Sequence, residues 1–285
     1  MRTLKKVFLF ALISTLLVSC KGENKSTETP HTVNHKIISL NGAITEILSA
    51  LGQEDKIVGV DVTSTYPEGI KEKAKDLGHV RSVSLENVIA LQPTLILASD
   101  KDLNPDLIAK LQEAKIEVKT IEQEQSIEGT KKFIKDVAQS IGDPNYMSLI
   151  RKIESDFAGL RQLETKPKVL FIYARGAGTL MVAGKNTPME KIITIAGGEN
   201  AVNDFEDFKP LTSEALIQSN PDYILLFNKG LESLGGIGGV LQIQGIEQTH
   251  AGKNKNIIAM DGALLSGFGP RVGQAAKELN QLISE

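Results

Sequence analysis

The chain has 285 residues, 41% of them apolar, and this is long enough for two lobes because one hydrophobic core seldom grows past about 250 residues. Aromatic residues make up 5%, tryptophan is absent and the formal net charge is −3. With no long basic run, the composition argues against a nucleic-acid partner.

The first 19 residues have the pattern of a secretory signal. Three basic residues precede an apolar run over residues 7–18. That run is too short for a permanent membrane span, which needs about 20 residues. The sequence Leu17-Val18-Ser19-Cys20 resembles the lipobox of bacterial lipoproteins, in which the cysteine is acylated and becomes the new N-terminus. We therefore predict a signal peptide over 1–19 and a lipid anchor at Cys20, which holds the protein on the periplasmic face of a membrane or on the cell surface.

The mature chain that this cleavage leaves carries 29 Lys+Arg against 35 Asp+Glu, a net charge of −6. Its only cysteine is Cys20, so no intramolecular disulfide can form. Residues 20–35 are polar and include Pro30, which predicts a flexible tether.

The folded part alternates short apolar runs with helical patterns, which predicts an α/β fold with a mainly parallel sheet in its first lobe. A first lobe is predicted over 36–143 and a second over 167–285. Amphipathic spacing between them predicts one long linking helix over 144–166. The expected strands are 36–40, 57–60, 94–98, 117–121, 169–173, 223–227 and 257–260. The expected fold is two Rossmann-like lobes with the ligand cleft between them, at loops from the strand ends.

The two predicted lobes share a repeated unit. Glu86 matches Glu214 and Pro93 matches Pro221, both 128 positions apart. In each copy a capping residue starts a helix, and proline then directs the chain into a buried strand.

Catalytic signatures are absent from the sequence. The segment Ala183-Gly184-Lys185-Asn186 lacks the spacing and the hydroxyl of a phosphate-binding loop. There is no G-x-S-x-G segment, and the one cysteine belongs to the lipobox. These absences predict that the protein is not an enzyme, although an exported enzyme on a similar scaffold remains an alternative.

Two α/β lobes joined by one helix resemble the periplasmic binding proteins that serve cobalamin, siderophore and haem import. Within this class, several segments are similar to the haem-binding members over about residues 36–284. They are Asp61-x-Thr-Ser-x-Tyr66-Pro67, Gly78-His-Val-Arg81-Ser-Val-Ser-x-Glu86, Val182-Ala-Gly184, Gly230-Leu-Glu-Ser-Leu-Gly-Gly236 and Gly267-Phe-Gly-Pro-Arg271. The resemblance implies that Tyr66 ligates haem iron, a role that suits a phenolate because ferric iron prefers hard anionic oxygen.

The resemblance also implies cationic support. Lys229 stands where relatives often carry an arginine that supports the phenolate, and Arg81, Arg175 and Arg271 are further candidates for the phenolate or for the haem propionates. Some relatives have a histidine in the loop that here reads Tyr173-Ala-Arg175-Gly-Ala-Gly-Thr179, without histidine. We therefore expect one bound haem rather than two.

The predicted function is capture of haem by a membrane-tethered receptor and its delivery to an ABC permease. The main alternative is a receptor of the same fold for cobalamin or a ferric siderophore, in which Tyr66 is only a wall residue. A surface lipoprotein without a ligand fits poorly with two lobes and a glycine-lined cleft.

Overall fold

The computed structural model describes residues 35–284. The predicted signal, the lipidation site Cys20 and the tether up to residue 34 lie outside these residues. Within them, no helix is both long and apolar enough to cross a bilayer.

The first lobe is a parallel sheet flanked by helices. Its strands are β1 (Ile37–Ser39), β2 (Ile57–Val60), β3 (Lys75–Asp76), β4 (Leu95–Ser99) and β5 (Glu117–Ile121). Its helices are α1 (Gly42–Ala50), α2 (Ile70–Lys73), α3 (Leu85–Ala90), α4 (Pro105–Glu113) and α5 (Ile127–Ser140), with short 3₁₀ turns at Glu54–Lys56 and Val80–Ser82. The strand order is β3-β2-β1-β4-β5, with every pairing parallel. The predicted α/β fold is confirmed.

The second lobe is a mixed sheet. Helix α6 (Met147–Ala158) leads into β6 (Lys168–Ala174), β7 (Leu180–Ala183), α7 (Pro188–Ile195), β8 (Glu199–Asn200), β9 (Phe208–Pro210), α8 (Ser213–Ser219), β10 (Tyr223–Phe227), α9 (Asn228–Ser233), α10 (Ile237–Leu241), a 3₁₀ turn (Ile246–Gln248), α11 (His250–Asn254), β11 (Ile257–Met260), α12 (Gly262–Ser266) and α13 (Val272–Leu282). The order is β11-β10-β6-β7-β9, with β8 also paired to β6.

The antiparallel part of this sheet was not predicted. Strands β6, β7 and β9 pair antiparallel, whereas β10 pairs parallel with both β6 and β11. Only residues 175–179 connect β6 to β7, and such a short connection permits a hairpin but not the crossover that parallel strands need.

Helix α6 is shorter than the 144–166 stretch that its pattern predicted. It ends at Ala158, where Gly159 caps it. Beyond this point the side chain of Asn280 accepts a hydrogen bond from the Arg161 amide at 2.8 Å and donates one to the Arg161 carbonyl at 3.0 Å. Because Asn280 is buried on α13, these bonds hold the chain in a non-helical path toward β6.

One hydrophobic core runs through both lobes. In the first sheet Ile37 belongs to this shared core, and the next residue, Ile38, faces a separate cluster on the other side. In the second sheet Val169 and Phe171 join the shared core, whereas Leu170 faces a third cluster. This period-two alternation shows that each sheet is covered on both faces.

Candidate functional site

The segment that carries Tyr66 is shaped by a buried carboxylate. Asp61 directly follows β2 and is 1% exposed. It accepts hydrogen bonds from the Thr63 amide at 3.1 Å, the Thr63 hydroxyl at 2.6 Å and the Ser64 hydroxyl at 2.8 Å. The Asp-x-Thr-Ser part of the sequence motif therefore builds the loop.

The same loop is tied to the first lobe by hydroxyl groups. The Thr45 hydroxyl on α1 lies 2.7 Å from that of Ser64 and 2.8 Å from that of Ser39 on β1. All three residues are fully buried. Two positions farther on, Tyr66 is 45% exposed, so an anchored loop presents this side chain to solvent.

A cavity of about 500 Å³ lies between this loop and the second lobe. Thr65 lines it from the first lobe. Tyr173, Arg175, Phe227 and Lys229 line it from the carboxyl ends of β6 and β10. This is where an open α/β sheet is expected to bind a ligand.

The second-lobe wall of the cavity is aromatic. The Tyr173 and Phe227 rings meet edge to face with centroids 6.3 Å apart, and Phe227 meets Phe171 in the same way at 4.8 Å. The Arg175 guanidinium lies over the Tyr173 ring at 5.5 Å. Tyr173 was not predicted as a wall residue, although its place at the end of a buried strand beside Arg175 was a usable signal.

The four predicted cations lie in different surroundings. Lys229 and Arg175 are exposed and line the cavity. Arg81 lies in the Val80–Ser82 turn, whose start is capped by His79 Nδ1 at 3.3 Å from the Arg81 amide. Burial raises the pKa of Asp102, while the Asn41 hydrogen bond and the Arg81 charge oppose that rise, which places Arg81 near Asp102.

Arg271 is paired rather than free. Its Nε and Nη2 donate to the two carboxylate oxygens of Glu46 at 2.9 and 2.5 Å. Its guanidinium carbon lies 3.8 Å from the centroid of the Tyr66 ring. Burial raises the pKa of Glu46 and its bonds with Arg271 oppose that rise. Arg271 therefore lies against the Tyr66 ring, and its positive charge is already paired with the Glu46 carboxylate.

Gly184 and Phe268, which lie in segments similar to those of haem-binding proteins, pack closely against their neighbours. A Cβ on Gly184 would lie 2.5 Å from the ring and the carbonyl oxygen of Phe205, so this glycine permits a close approach. Phe268 is 1% exposed and belongs to the shared core.

Metal-binding side chains do not cluster in the part of the chain that the structure describes. Among residues 35–284 no group of three or more histidine, cysteine, aspartate or glutamate side chains is placed to hold a metal ion. A ligand that brings its own equatorial donors needs only an axial residue from the protein.

Comparison with known proteins decides the family. The model of the periplasmic binding proteins matches residues 37–264. The chain belongs to this family. It is thus a periplasmic substrate-binding protein of the ABC transporter type and not an enzyme.

Three individual proteins are similar to this binding protein over most of its length. The apo periplasmic heme-binding protein RhuT from Roseiflexus sp. RS-1 is 38% identical, with a TM-score of 0.82 over 87% of this chain and 97% of that one. The uncharacterized ABC transporter substrate-binding lipoprotein YvrC of Bacillus subtilis (strain 168) is 29% identical over 87% of this chain and 79% of its own. A vitamin B12-binding protein of Vibrio vulnificus (strain CMCP6) is 26% identical over 86% and 88%.

Proposed function

We propose that this binding protein captures haem, with Tyr66 as the axial ligand of the iron, and delivers it to an ABC import permease. The observation that carries the proposal is that Tyr66 is exposed on a loop held in place by the buried Asp61 and Ser64, which are hydrogen-bonded to each other. A phenol so presented is available to a ligand, and phenolate oxygen suits ferric iron.

The opposite wall suits the rest of a haem. Tyr173 and Phe227 offer aromatic surface to an apolar macrocycle. Arg175 and Lys229 line the same cavity and supply positive charge for the propionates or for the phenolate. A volume of about 500 Å³ lies within the range of about 300–1,000 Å³ that small-ligand sites occupy. The heme-binding neighbour at 38% identity supports the same assignment.

Cobalamin is the second candidate, because a vitamin B12-binding protein matches 86% of the chain. The two ligands would use different parts of the Tyr66 side chain. Cobalamin needs from it only contact surface, whereas haem needs its oxygen.

Parallel titrations of the protein from residue 21 onward, with haem and with cobalamin, separate these candidates. Haem is expected to saturate at one equivalent and to develop a phenolate-to-iron charge-transfer band. Saturable cobalamin binding with no saturable haem binding would overturn the proposal.

The proposed membrane anchor is Cys20, supported by the lipobox pattern and by the lipoprotein relative. The full chain is expected to incorporate labelled palmitate, and Cys20→Ser is expected to abolish that incorporation. A full chain that takes up no labelled fatty acid, or takes it up equally after Cys20→Ser, would contradict a lipid anchor at Cys20.

A further inference from the structure

The segment 267–271 belongs to the second lobe but bonds to the first. The Gly267 carbonyl accepts a hydrogen bond from the side-chain amide of Gln123 at 2.9 Å. The Phe268 carbonyl lies 3.3 Å from the Thr130 hydroxyl, which donates to the Ser126 carbonyl at 2.8 Å. Gln123 lies after β5 and Thr130 lies on α5, so one carbonyl of this segment is hydrogen-bonded to the first lobe and the next one contacts it.

The segment also packs tightly against the first lobe. Phe268 has a φ of 45°, a left-handed conformation that costs energy for an aromatic residue and persists only where the surroundings hold it. Its buried ring supplies that hold, since it lies in the core shared by both lobes. A Cβ on Gly269 would lie 3.1 Å from the Cβ of Ala43 on α1, so glycine permits the contact.

The segment ends in an ion pair that reaches the ligand loop. The Arg271 side chain is 17% exposed and that of Glu46 is 7% exposed, and both carboxylate oxygens accept from the guanidinium. A two-pronged bond of this kind fixes the orientation of the guanidinium plane as well as its position. The same guanidinium covers one face of the Tyr66 ring at 3.8 Å.

We propose that segment 267–271 is an interlobe clasp in which Glu46 orients Arg271, and Arg271 positions the Tyr66 ring for its ligand. The role at the ligand rests on the proposed function. The interlobe role does not, because it follows from contacts within the protein alone.

The clasp has two consequences for binding. It ties the lobes together beside the cleft, so ligand enters an arrangement that is already assembled and little closure is required. It also keeps a cation over the phenol ring, where cation–π attraction limits ring rotation. Arg271 and Glu46 are therefore positioning residues rather than ligands.

Spin labels test the interlobe role without any ligand. The chain from residue 21 onward has no cysteine, so Glu113→Cys and Lys253→Cys, at exposed positions in the two lobes, label uniquely. The label-to-label distance distribution is expected to be narrow in the parent protein, to change little with haem and to broaden on Arg271→Gln and on Glu46→Gln. A distribution unchanged by both substitutions would overturn the clasp.

Arg161→Gln is the matched control. Arg161 bonds to Ser284 and lies before β6, at the opposite edge of the second sheet from the cleft. The control is expected to leave the distance distribution as it is. Arg271→Lys, which keeps the charge but loses the fork, is expected to broaden the distribution less than Arg271→Gln.

A double-mutant cycle tests the positioning role. Arg271→Gln is expected to weaken haem binding about tenfold and to shift the charge-transfer band, because a desolvated cation–π contact is worth about a factor of ten or more. In a Tyr66→Phe background the same substitution is expected to weaken haem binding less than about threefold, which is half of the tenfold effect on a logarithmic scale.

The outcomes separate the two ideas. Equal losses in both backgrounds would overturn positioning through Tyr66 while leaving the haem assignment intact. If the parent protein does not bind haem, the proposed function fails, and the spin-label result alone then decides the clasp. If Arg271→Gln does not fold, Glu46→Gln and Arg271→Lys take its place in the cycle.

Discussion

The two walls of the cleft are built by different physical means. The first-lobe wall is a loop locked by a buried carboxylate and three buried hydroxyls, and it exposes one phenol. The second-lobe wall is a set of edge-to-face aromatic rings with exposed cations at its border. A locked loop suits a single directional bond, whereas aromatic surface suits a large flat ligand without dictating its rotation. Substitutions on the two walls separate these contributions.

The largest effect is expected where the locked loop depends on one group. Asp61→Ala leaves the Thr63 amide and hydroxyl and the Ser64 hydroxyl without their acceptor. Since each buried unpaired polar group costs about 1–3 kcal/mol and some will rehydrate, the free energy of unfolding should fall by about 3 kcal/mol. Urea denaturation measures this change. The exposed Asp204→Ala serves as control, and an equal loss in both variants would contradict the assigned network.

Removing the phenol oxygen should act on binding rather than on stability. Tyr66→Phe is expected to lower haem affinity about 100-fold or more, since even supporting groups of metal sites are worth 10–100-fold. The midpoint of urea unfolding should stay unchanged because the side chain is 45% exposed. Tyr146→Phe, at the N-cap of α6 and outside the cavity lining, is the matched control. Wild-type affinity in Tyr66→Phe would show that the phenol is only wall surface.

The cations of the second wall are expected to contribute less. Lys229→Ala should weaken haem binding about fivefold, close to 1 kcal/mol, because an exposed charge is screened by solvent. The difference should shrink as ionic strength rises toward about 1 M, where the Debye length is about 3 Å. Lys253→Ala, on α11 away from the cleft, is the control. A loss that does not depend on salt would point to packing instead of charge.

The smallest effect concerns Asp102, whose pKa is raised by burial. Between the ordinary value of 3.8 and the raised pKa, the folded protein holds a proton that the unfolded chain has lost. Stability therefore declines as pH rises through this window. Asp102→Asn should remove this decline. The free energy of unfolding of the variant minus that of the wild type should therefore increase as pH rises through the window. Asp55→Asn is the control, and a difference that does not vary with pH would contradict the assignment.

The elements of the fold were largely readable because most of the longer strands carry buried apolar residues and have clear ends. Strands β2, β5, β10 and β11 have the bounds that the pattern predicted. The antiparallel edge was missed because β9 is a three-residue strand with every residue exposed, and carries no apolar signal. The length of helix α6 was overestimated because the chain after it is held by Asn280, which is distant in sequence.

The site was readable in part for the same reasons. Tyr66 was predicted from a local motif, and the structure places the neighbouring Asp61 and Ser64 in a buried hydrogen-bond network. The partner of Arg271 could not be read, because Glu46 lies 225 positions away and nothing local marks it. Long-range pairing of this kind leaves no periodicity in a single sequence.

Resonance Raman scattering from the haem complex, excited within the charge-transfer band, tests the central claim most directly. Phenolate vibrations should be enhanced in the wild-type complex and in Tyr146→Phe, and they should be absent in Tyr66→Phe, because only a phenolate bonded to iron couples to that transition. A saturated haem complex without phenolate vibrations, or with the same vibrations after Tyr66→Phe, would contradict ligation by Tyr66.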